Sequence, residues 1–282
     1  MEYNKQYLNV KITNKCNGNC LFCLDENKIR KEEPVEKLIE ATNFFYNYKN
    51  VLISGGEPFL YNNLLEYLKG ISKEKEEIYI TTNGSAFNNH NIEEIAKYIK
   101  TIDISIHHYN QILNSSIFGV SIDFNNIKEN IKKFKNAGVN VIINVNLIKD
   151  YIDYFRKAKE MIEFAKDLGA DMIRFTELQN NLSCFVSAYE VFNLKNDNSN
   201  FNEIEIDTKM GIKTIIRFTS ILTNPKKEQL GNVKSVNIND ISNVGYFKAS
   251  ARNNIYSSDS ILNFSAIAPD DLHVNIINPQ EE

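Results

Sequence analysis

The chain has 282 residues, a formal net charge of −4, and 43% hydrophobic against 24% charged residues, enough apolar material for a buried core and too much for large-scale disorder. The mild acidity excludes a broad basic face of the kind that grips a phosphate backbone, so nucleic acid is not an expected partner. No apolar run approaches the roughly 18 to 20 residues that cross a bilayer, so no membrane span is expected.

In chain order, short β-branched runs alternate with longer amphipathic stretches, the pattern of βα units on a parallel sheet. Tyr7 to Thr13 reads as the first strand and leads into a cysteine-rich loop. Pro34 opens a helix to about Tyr48, with Val35, Leu38, Ile39, Thr42 and Phe45 at helical spacing. Val51 to Ile53 is a strand ending at Gly55-Gly56, and Asn62 to Lys73 a helix. Glu77 to Thr82 is a strand ending at Asn83-Gly84, followed by a helix over Ile92 to Lys100 and a strand over Ile102 to Ile106. Phe124 to Ala137 is a helix stopped by Gly138, and Val139 to Leu147 the fifth strand. Tyr151 to Leu168 is a helix capped by Gly169, and Asp171 to Glu177 the sixth strand. Six such units fall short of the eight that close a barrel, so the expected α/β fold is an open, partial barrel over residues 1–180.

The pattern changes after Asn180. Asn193 to Asn202 reads as a polar connector, and Glu203 to Asp207 with Ile212 to Thr219 as a hairpin around Met210-Gly211. Val233 to Ile238, Val244 to Phe247 and Leu272 to Ile277 read as further strands, making residues 181–282 a strand-rich extension expected to cover the barrel mouth or bind substrate.

The chemistry is most tightly constrained by Cys16, Cys20 and Cys23, three thiolates within eight residues. Such soft ligands favour iron–sulfur clusters, zinc or copper(I), and three of them can hold three corners of a cubane while its fourth iron stays open. A structural zinc site wants four ligands, commonly as two separated pairs, yet the remaining cysteine, Cys184, lies far downstream. A disulfide framework suits a short secreted chain, and this one is long and opens without an apolar leader.

The order C-x3-C-x2-C, with Phe22 just before its last thiolate, resembles the radical S-adenosylmethionine (radical SAM) superfamily. That resemblance implies a six-unit partial barrel, a [4Fe-4S] cluster held by Cys16, Cys20 and Cys23, and SAM chelated to the open iron. One electron from the cluster then splits SAM to a 5′-deoxyadenosyl radical, which takes a hydrogen atom from the substrate. It also implies a reducing partner such as flavodoxin or ferredoxin, and an oxygen-sensitive cluster with free thiols points to the cytoplasm.

Gly55-Gly56-Glu57-Pro58 matches the family's GGEP motif, whose segment binds the amino group of SAM. Glycines let backbone approach a ligand closely, and the Glu57 carboxylate and nearby carbonyls can accept from an ammonium. Thr82-Asn83-Gly84 resembles a segment beside the cofactor in relatives. Ser105, and Asn144 or Asn146, which share one strand face, occupy positions that contact ribose or carboxylate. Arg174, in Ile173-Arg174-Phe175-Thr176-Glu177-Leu178, resembles the segment that holds adenine through its backbone. Each of these polar residues can equally serve as a cap, a turn residue or a satisfied core group. His107 and His108, just after the fourth strand, would face the mouth and contact substrate or shuttle protons. Cys184 reads as a hydrogen-atom donor, as in some peptide epimerases of this superfamily, or as a small buried hydrophobe.

KITNKCNGNCLFC, SGGEP, TTNG and IRFTEL resemble the branch holding the molybdenum-cofactor GTP cyclases and the SPASM-type peptide-modifying enzymes. The tail departs from both, with no cysteine after Cys184 and a Gln280-Glu281-Glu282 end, so one cluster is the expected ceiling. Redox-neutral outcomes on a small metabolite or natural-product intermediate are the leading expectation. Modification of a ribosomally made peptide is the alternative, and a non-catalytic zinc scaffold is the alternative of another class.

Overall fold

The computed structural model describes residues 7–20, 22–23, 32, 34–178, 183–194 and 203–218, and the backbone of four later strands. The connector residues 195–202, and residues 237–238, 244–246 and 272–273 of the expected later strands, lie outside the described residues.

Six parallel strands carry the expected units: β1 (Tyr7–Lys11), β2 (Asn50–Ser54), β3 (Glu77–Thr82), β4 (Thr101–Ser105), β5 (Asn140–Leu147) and β6 (Met172–Glu177). Helices α1 (Val35–Phe44), α2 (Leu64–Ile71), α3 (Ile92–Ala96), α5 (Phe124–Asn136) and α6 (Phe155–Leu168) lie between them, as the periodicity predicts. α4 (Gln111–Phe118) does not appear in the sequence reading. Two of its apolar residues, Ile112 and Leu113, face solvent, whereas Asn114, Ile117 and Phe118 are buried, so hydrophobic spacing conceals the helix. The legible signals were its caps: Asn110 accepts from the backbone of Ile112 and Leu113, and Gly119 closes it at φ 66°.

After β6 come a short helix α7 (Ala188–Val191), β7 (Glu203–Ile206), β8 (Lys213–Arg217), β9 (Val233–Val236), β10 (Phe247–Arg252), β11 (Ile261–Ala266) and β12 (Val274–Ile277). The hairpin is present as β7 and β8, with Gly211 at φ 74° in the turn. Of the residues in the strand expected over Val244 to Phe247, Phe247 is described and opens β10, and β11 has no counterpart in the sequence reading.

The sheet order is β10-β11-β1-β2-β3-β4-β5-β6-β8-β7, with β12 and β9 forming a separate pair. β8 runs parallel to β6 and β11 parallel to β1, so the parallel ladder continues past the expected boundary at residue 180 on both sides of the six units. A bare β1 or β6 would expose a row of unpaired N–H and C=O groups, which these additions satisfy.

The strands alternate. Leu8, Val10, Ile78, Ile80, Ile102 and Ile104 are buried against helix residues such as Leu68, Ile127, Phe134, Met161 and Ile162. The other face carries Asn9, Ser54, Thr81, Asp103, Ser105, Asn144, Asn146, Arg174 and Thr176, with Leu52, Tyr79, Ile142 and Met172 also on it, so it is polar chiefly toward the carboxyl ends of the strands. An all-parallel sheet covered on both faces reads as continuous apolar runs, so a polar inner face reserves that side for water and ligands.

Candidate active site

The cysteine loop leaves β1 and is held by its neighbours' backbones. Gly56 N donates to Thr13 O at 2.8 Å and Glu57 N to Lys15 O at 2.7 Å, so the turn after β2 runs alongside the loop's first residues. That approach requires glycine: a β-carbon at Gly55 would sit 2.7 Å from Thr13 O, and one at Gly56 2.2 Å from Lys15 O and 2.9 Å from Cys16 Cβ. From the other side Asn19 N donates to Phe118 O at 2.7 Å, docking the loop on the end of α4. Buried Gly18 lies between the first two thiols, since a β-carbon there would be 3.5 Å from Cys16 Sγ and 3.7 Å from Cys20 Sγ. Gly18 N also donates to Cys16 Sγ at 3.3 Å. Cys23 N donates to Cys20 O, closing a tight backbone turn between the second and third cysteines, and Cys23 is exposed.

Glu57 is fully buried and both its oxygens are engaged. Oε1 accepts from Thr82 Oγ1 at 2.6 Å and Phe59 N at 3.0 Å, and Oε2 accepts from Asn83 N at 2.7 Å. Burial raises its pKa, while these donors pull it down. The carboxylate therefore clasps the turn after β2 to the turn after β3, and what the GGEP segment offers a ligand is its backbone. Pro58 is buried at the start of a short helical turn, Pro58–Leu60.

Asn83 continues the clasp. Its Nδ2 donates to Asn17 Oδ1 at 3.1 Å, Asn17 Nδ2 donates to Ser85 Oγ at 2.8 Å, and Ser85 Oγ donates to Asn83 Oδ1 at 2.5 Å. A closed triangle of side chains thus ties the cysteine loop to the turn after β3. The sequence reading named Asn83 and missed Asn17 and Ser85, although Asn17 stands inside the cysteine motif.

Ser105 is level with Asn144, Asn144 with Arg174, and Asn146 with Thr176, on neighbouring strands of the polar face. Asn144 Oδ1 accepts from Thr176 Oγ1 at 3.0 Å. The Arg174 side chain turns along the sheet to Asp103, with Nη1 2.9 Å from Oδ2.

His107 is buried, stacked on Phe118 with centroids 4.7 Å apart and edge-on to Phe22 at 5.1 Å. Its Nδ1 accepts from Asn146 N at 3.1 Å, which places the ring proton on Nε2. Burial pushes its pKa down to about 3, so this environment favours a fixed neutral donor over a proton shuttle. His108 Nδ1 accepts from Asn110 N at 2.9 Å, and burial lowers its pKa too, helped by Lys157. Buried Asn114 holds both residues, its Oδ1 accepting from His107 N and His108 N. Cys184 packs with Phe22, Ile117, Ile148, Tyr151 and Leu178 in a small apolar cluster, close to the aromatic residue of the cysteine motif.

The radical SAM superfamily profile matches residues 10–165, more than half of the chain. This protein belongs to the radical SAM superfamily. It is 29% identical over 205 residues to a GTP 3′,8-cyclase of Aquifex aeolicus, covering 66% of this chain and 63% of that one. It is 28% identical over 207 residues to a probable GTP 3′,8-cyclase of Methanocaldococcus jannaschii, covering 67% and 65%. The chain thus spans somewhat under two thirds of the length of these curated relatives. Among solved structures, Streptococcus suis SuiB bound to precursor peptide SuiA matches with a TM-score of 0.54 at 22% identity, covering 63% of this chain and 40% of that one. SuiB bound to S-adenosylmethionine matches with the same score, covering 64% and 43%. These likenesses establish the partial-barrel fold.

As a member of the radical SAM superfamily the protein uses a [4Fe-4S] cluster and SAM. The donor set suits the cluster: Gly18 lies between the Cys16 and Cys20 thiols, and a cubane spreads its thiolates over three different irons. Among the described residues no helix is long and apolar enough to cross a membrane.

Proposed function

We propose that Cys16, Cys20 and Cys23 hold the cluster, and that the backbone of Gly55 to Pro58 receives the amino group of SAM. Thr82, Asn83, Ser105, Asn144, Asn146 and Arg174 then border the cofactor along the strand ends, and Phe22 with His107 walls it from α4. The observation that carries this reading is the paired backbone bonds from Gly56 and Glu57 to Thr13 and Lys15, which hold the glycine turn against the loop bearing the first thiol. When bound, the cluster would supply one electron, received from a flavodoxin- or ferredoxin-type protein in the cytoplasm, for reductive cleavage of SAM. The chain's own part is to fix the loop, exclude water with the Phe22–Phe118 wall and present substrate along the polar inner face. The substrate in this reading is a small metabolite or natural-product intermediate, and residues 181–282 serve as an extension that covers the barrel mouth or binds substrate.

Modification of a ribosomally made peptide is the second reading. It is favoured by the likeness to SuiB, which has been solved bound to a precursor peptide, and by β7, which ends the sheet among the described residues and offers an edge suited to strand addition. Iron, sulfide and visible spectra of anaerobically purified protein test the site, together with 5′-deoxyadenosine production. About four irons and four sulfides with SAM cleavage support the assignment. One zinc without sulfide refutes it in favour of the zinc scaffold.

A further inference from the structure

Four charged side chains meet on the inner face where the extension joins the barrel: Asp103 from β4, Arg174 from β6, Glu203 from β7 and Arg217 from β8. Arg174 Nη1 donates to Asp103 Oδ2 at 2.9 Å, and Arg217 donates to Glu203 from Nε and Nη2. Arg174 Nε stands 3.9 Å from Glu203 Oε1, beyond hydrogen-bond reach. Arg174 is only 6% exposed, yet its Nε and the Asp103 Oδ1 are buried without a hydrogen-bond partner. In the reading above Arg174 borders the cofactor through the backbone of its segment, so its side-chain Nε and Asp103 Oδ1 are used by neither SAM nor the cluster. Buried polar atoms are nearly always satisfied, so two orphans on one ion pair call for a ligand.

The chemistry of that ligand follows from what is missing. Asp103 Oδ1 needs an N–H or O–H donor, and Arg174 Nε–H needs an acceptor. Two guanidinium groups against two carboxylates leave the quartet without net charge, so a phosphate arriving here would meet Asp103 and Glu203 as well as the arginines. One group that supplies a donor and an acceptor together without charge is an amide. Asp103 lies two residues before Ser105 on the same strand face, deeper in the barrel than the row proposed to border SAM. That is the position of a substrate's anchoring end, with its reacting end directed toward the cofactor.

We propose that the Asp103–Arg174–Glu203–Arg217 quartet anchors the substrate through an amide group, either a peptide amide or the lactam edge of a nucleobase, and that it does not hold a phosphate. The inference rests on the functional reading above and names its substrate class. Cluster-loaded protein with SAM bound is titrated by calorimetry with N-acetylglycinamide, uracil and inorganic pyrophosphate. The expected result is binding of at least one amide probe, weakened at least tenfold by Asp103→Asn, with SAM affinity and iron content within twofold of wild type. Which probe binds more tightly identifies the source of the amide. Glu203→Gln, which leaves Asp103 and Arg174 in place, is expected to keep amide binding and to admit pyrophosphate by unbalancing the charge. Tighter binding of pyrophosphate than of either amide in the wild type, no amide binding at all, or amide binding unmoved by Asp103→Asn overturns the proposal. In each of those cases an intact cluster and SAM site would leave the radical SAM reading standing, whereas loss of both in the wild type would remove that reading itself.

Discussion

Replacing Gly56 by alanine tests the closest approach in the site. The added β-carbon would lie 2.2 Å from Lys15 O, 2.6 Å from Lys15 C and 2.9 Å from Cys16 Cβ, all of them backbone or first-carbon atoms that no rotamer change can clear. Since carbon contacts settle near 3.5 Å, the loop must retreat by about 1 Å, taking Cys16 with it and stretching the 2.7 Å bond from Glu57 N to Lys15 O. Overpacking of this kind costs about 1–3 kcal/mol. A displacement of about 1 Å at a reacting centre costs on the order of a hundredfold in rate. The expected outcome is a folded protein, measured by urea denaturation, with reduced iron content and at least tenfold slower 5′-deoxyadenosine formation. Gly138→Ala is the control for the opposite case: its φ of 77° strains an alanine's backbone, a strain absent at Gly56, but nothing lies within 4 Å of the new carbon. It should lower stability and leave the cluster intact. Full iron and undiminished SAM cleavage in Gly56→Ala would refute the view that the glycine turn positions the cysteine loop.

Cys16→Ala, Cys20→Ala and Cys23→Ala should each abolish cluster assembly and SAM cleavage, because a cubane held by two thiolates is poorly retained; wild-type product from any of them contradicts the ligand assignment. Asn17→Ala removes both bonds from the loop to Asn83 and Ser85, and because Asn17 is exposed, global stability should fall by less than about 1 kcal/mol. Iron release to a chelator should nevertheless accelerate several-fold, and an unchanged rate would deny the brace a role. Glu57→Gln places an amide N–H2 against backbone N–H groups that now donate to a carboxylate, and should cost about 1–3 kcal/mol in chemical denaturation with weaker SAM binding. Lys75 donates to Phe45 O and Tyr48 O, and burial lowers its pKa to about 8. Between pH 8 and the ordinary lysine value of 10.5 the unfolded chain holds the proton more firmly, so stability attributable to Lys75 rises with pH. The difference in urea midpoint between wild type and Lys75→Met should shift in the wild type's favour across that window, and a flat difference would show Lys75 to be solvated.

The cysteine triad, the GGEP turn and the alternating units were legible in the chain because each is local: ligand spacing, glycine pairs and strand–helix periodicity are written in consecutive residues. The same local signals placed β7 and β8, since a hairpin is joined by its own turn. Only the tertiary structure decided which residues work together across the sheet. Glu57 looked like a ligand for an ammonium, yet its oxygens are taken by Thr82, Asn83 and Phe59 from turns that meet only when β2 and β3 align. Asn17 and Ser85 carry no pattern, because their bonding depends on two loops meeting at one end of the barrel. α4 escaped notice because its buried face is built on Asn114 as well as Ile117 and Phe118. The charged quartet draws on four strands separated by long stretches of chain, and its net neutrality and its two orphan atoms exist only once the extension has paired with β6. Covalent order sets what each segment can form alone; which polar groups remain unsatisfied, and hence what the protein can bind, is set by the packing of segments on one another.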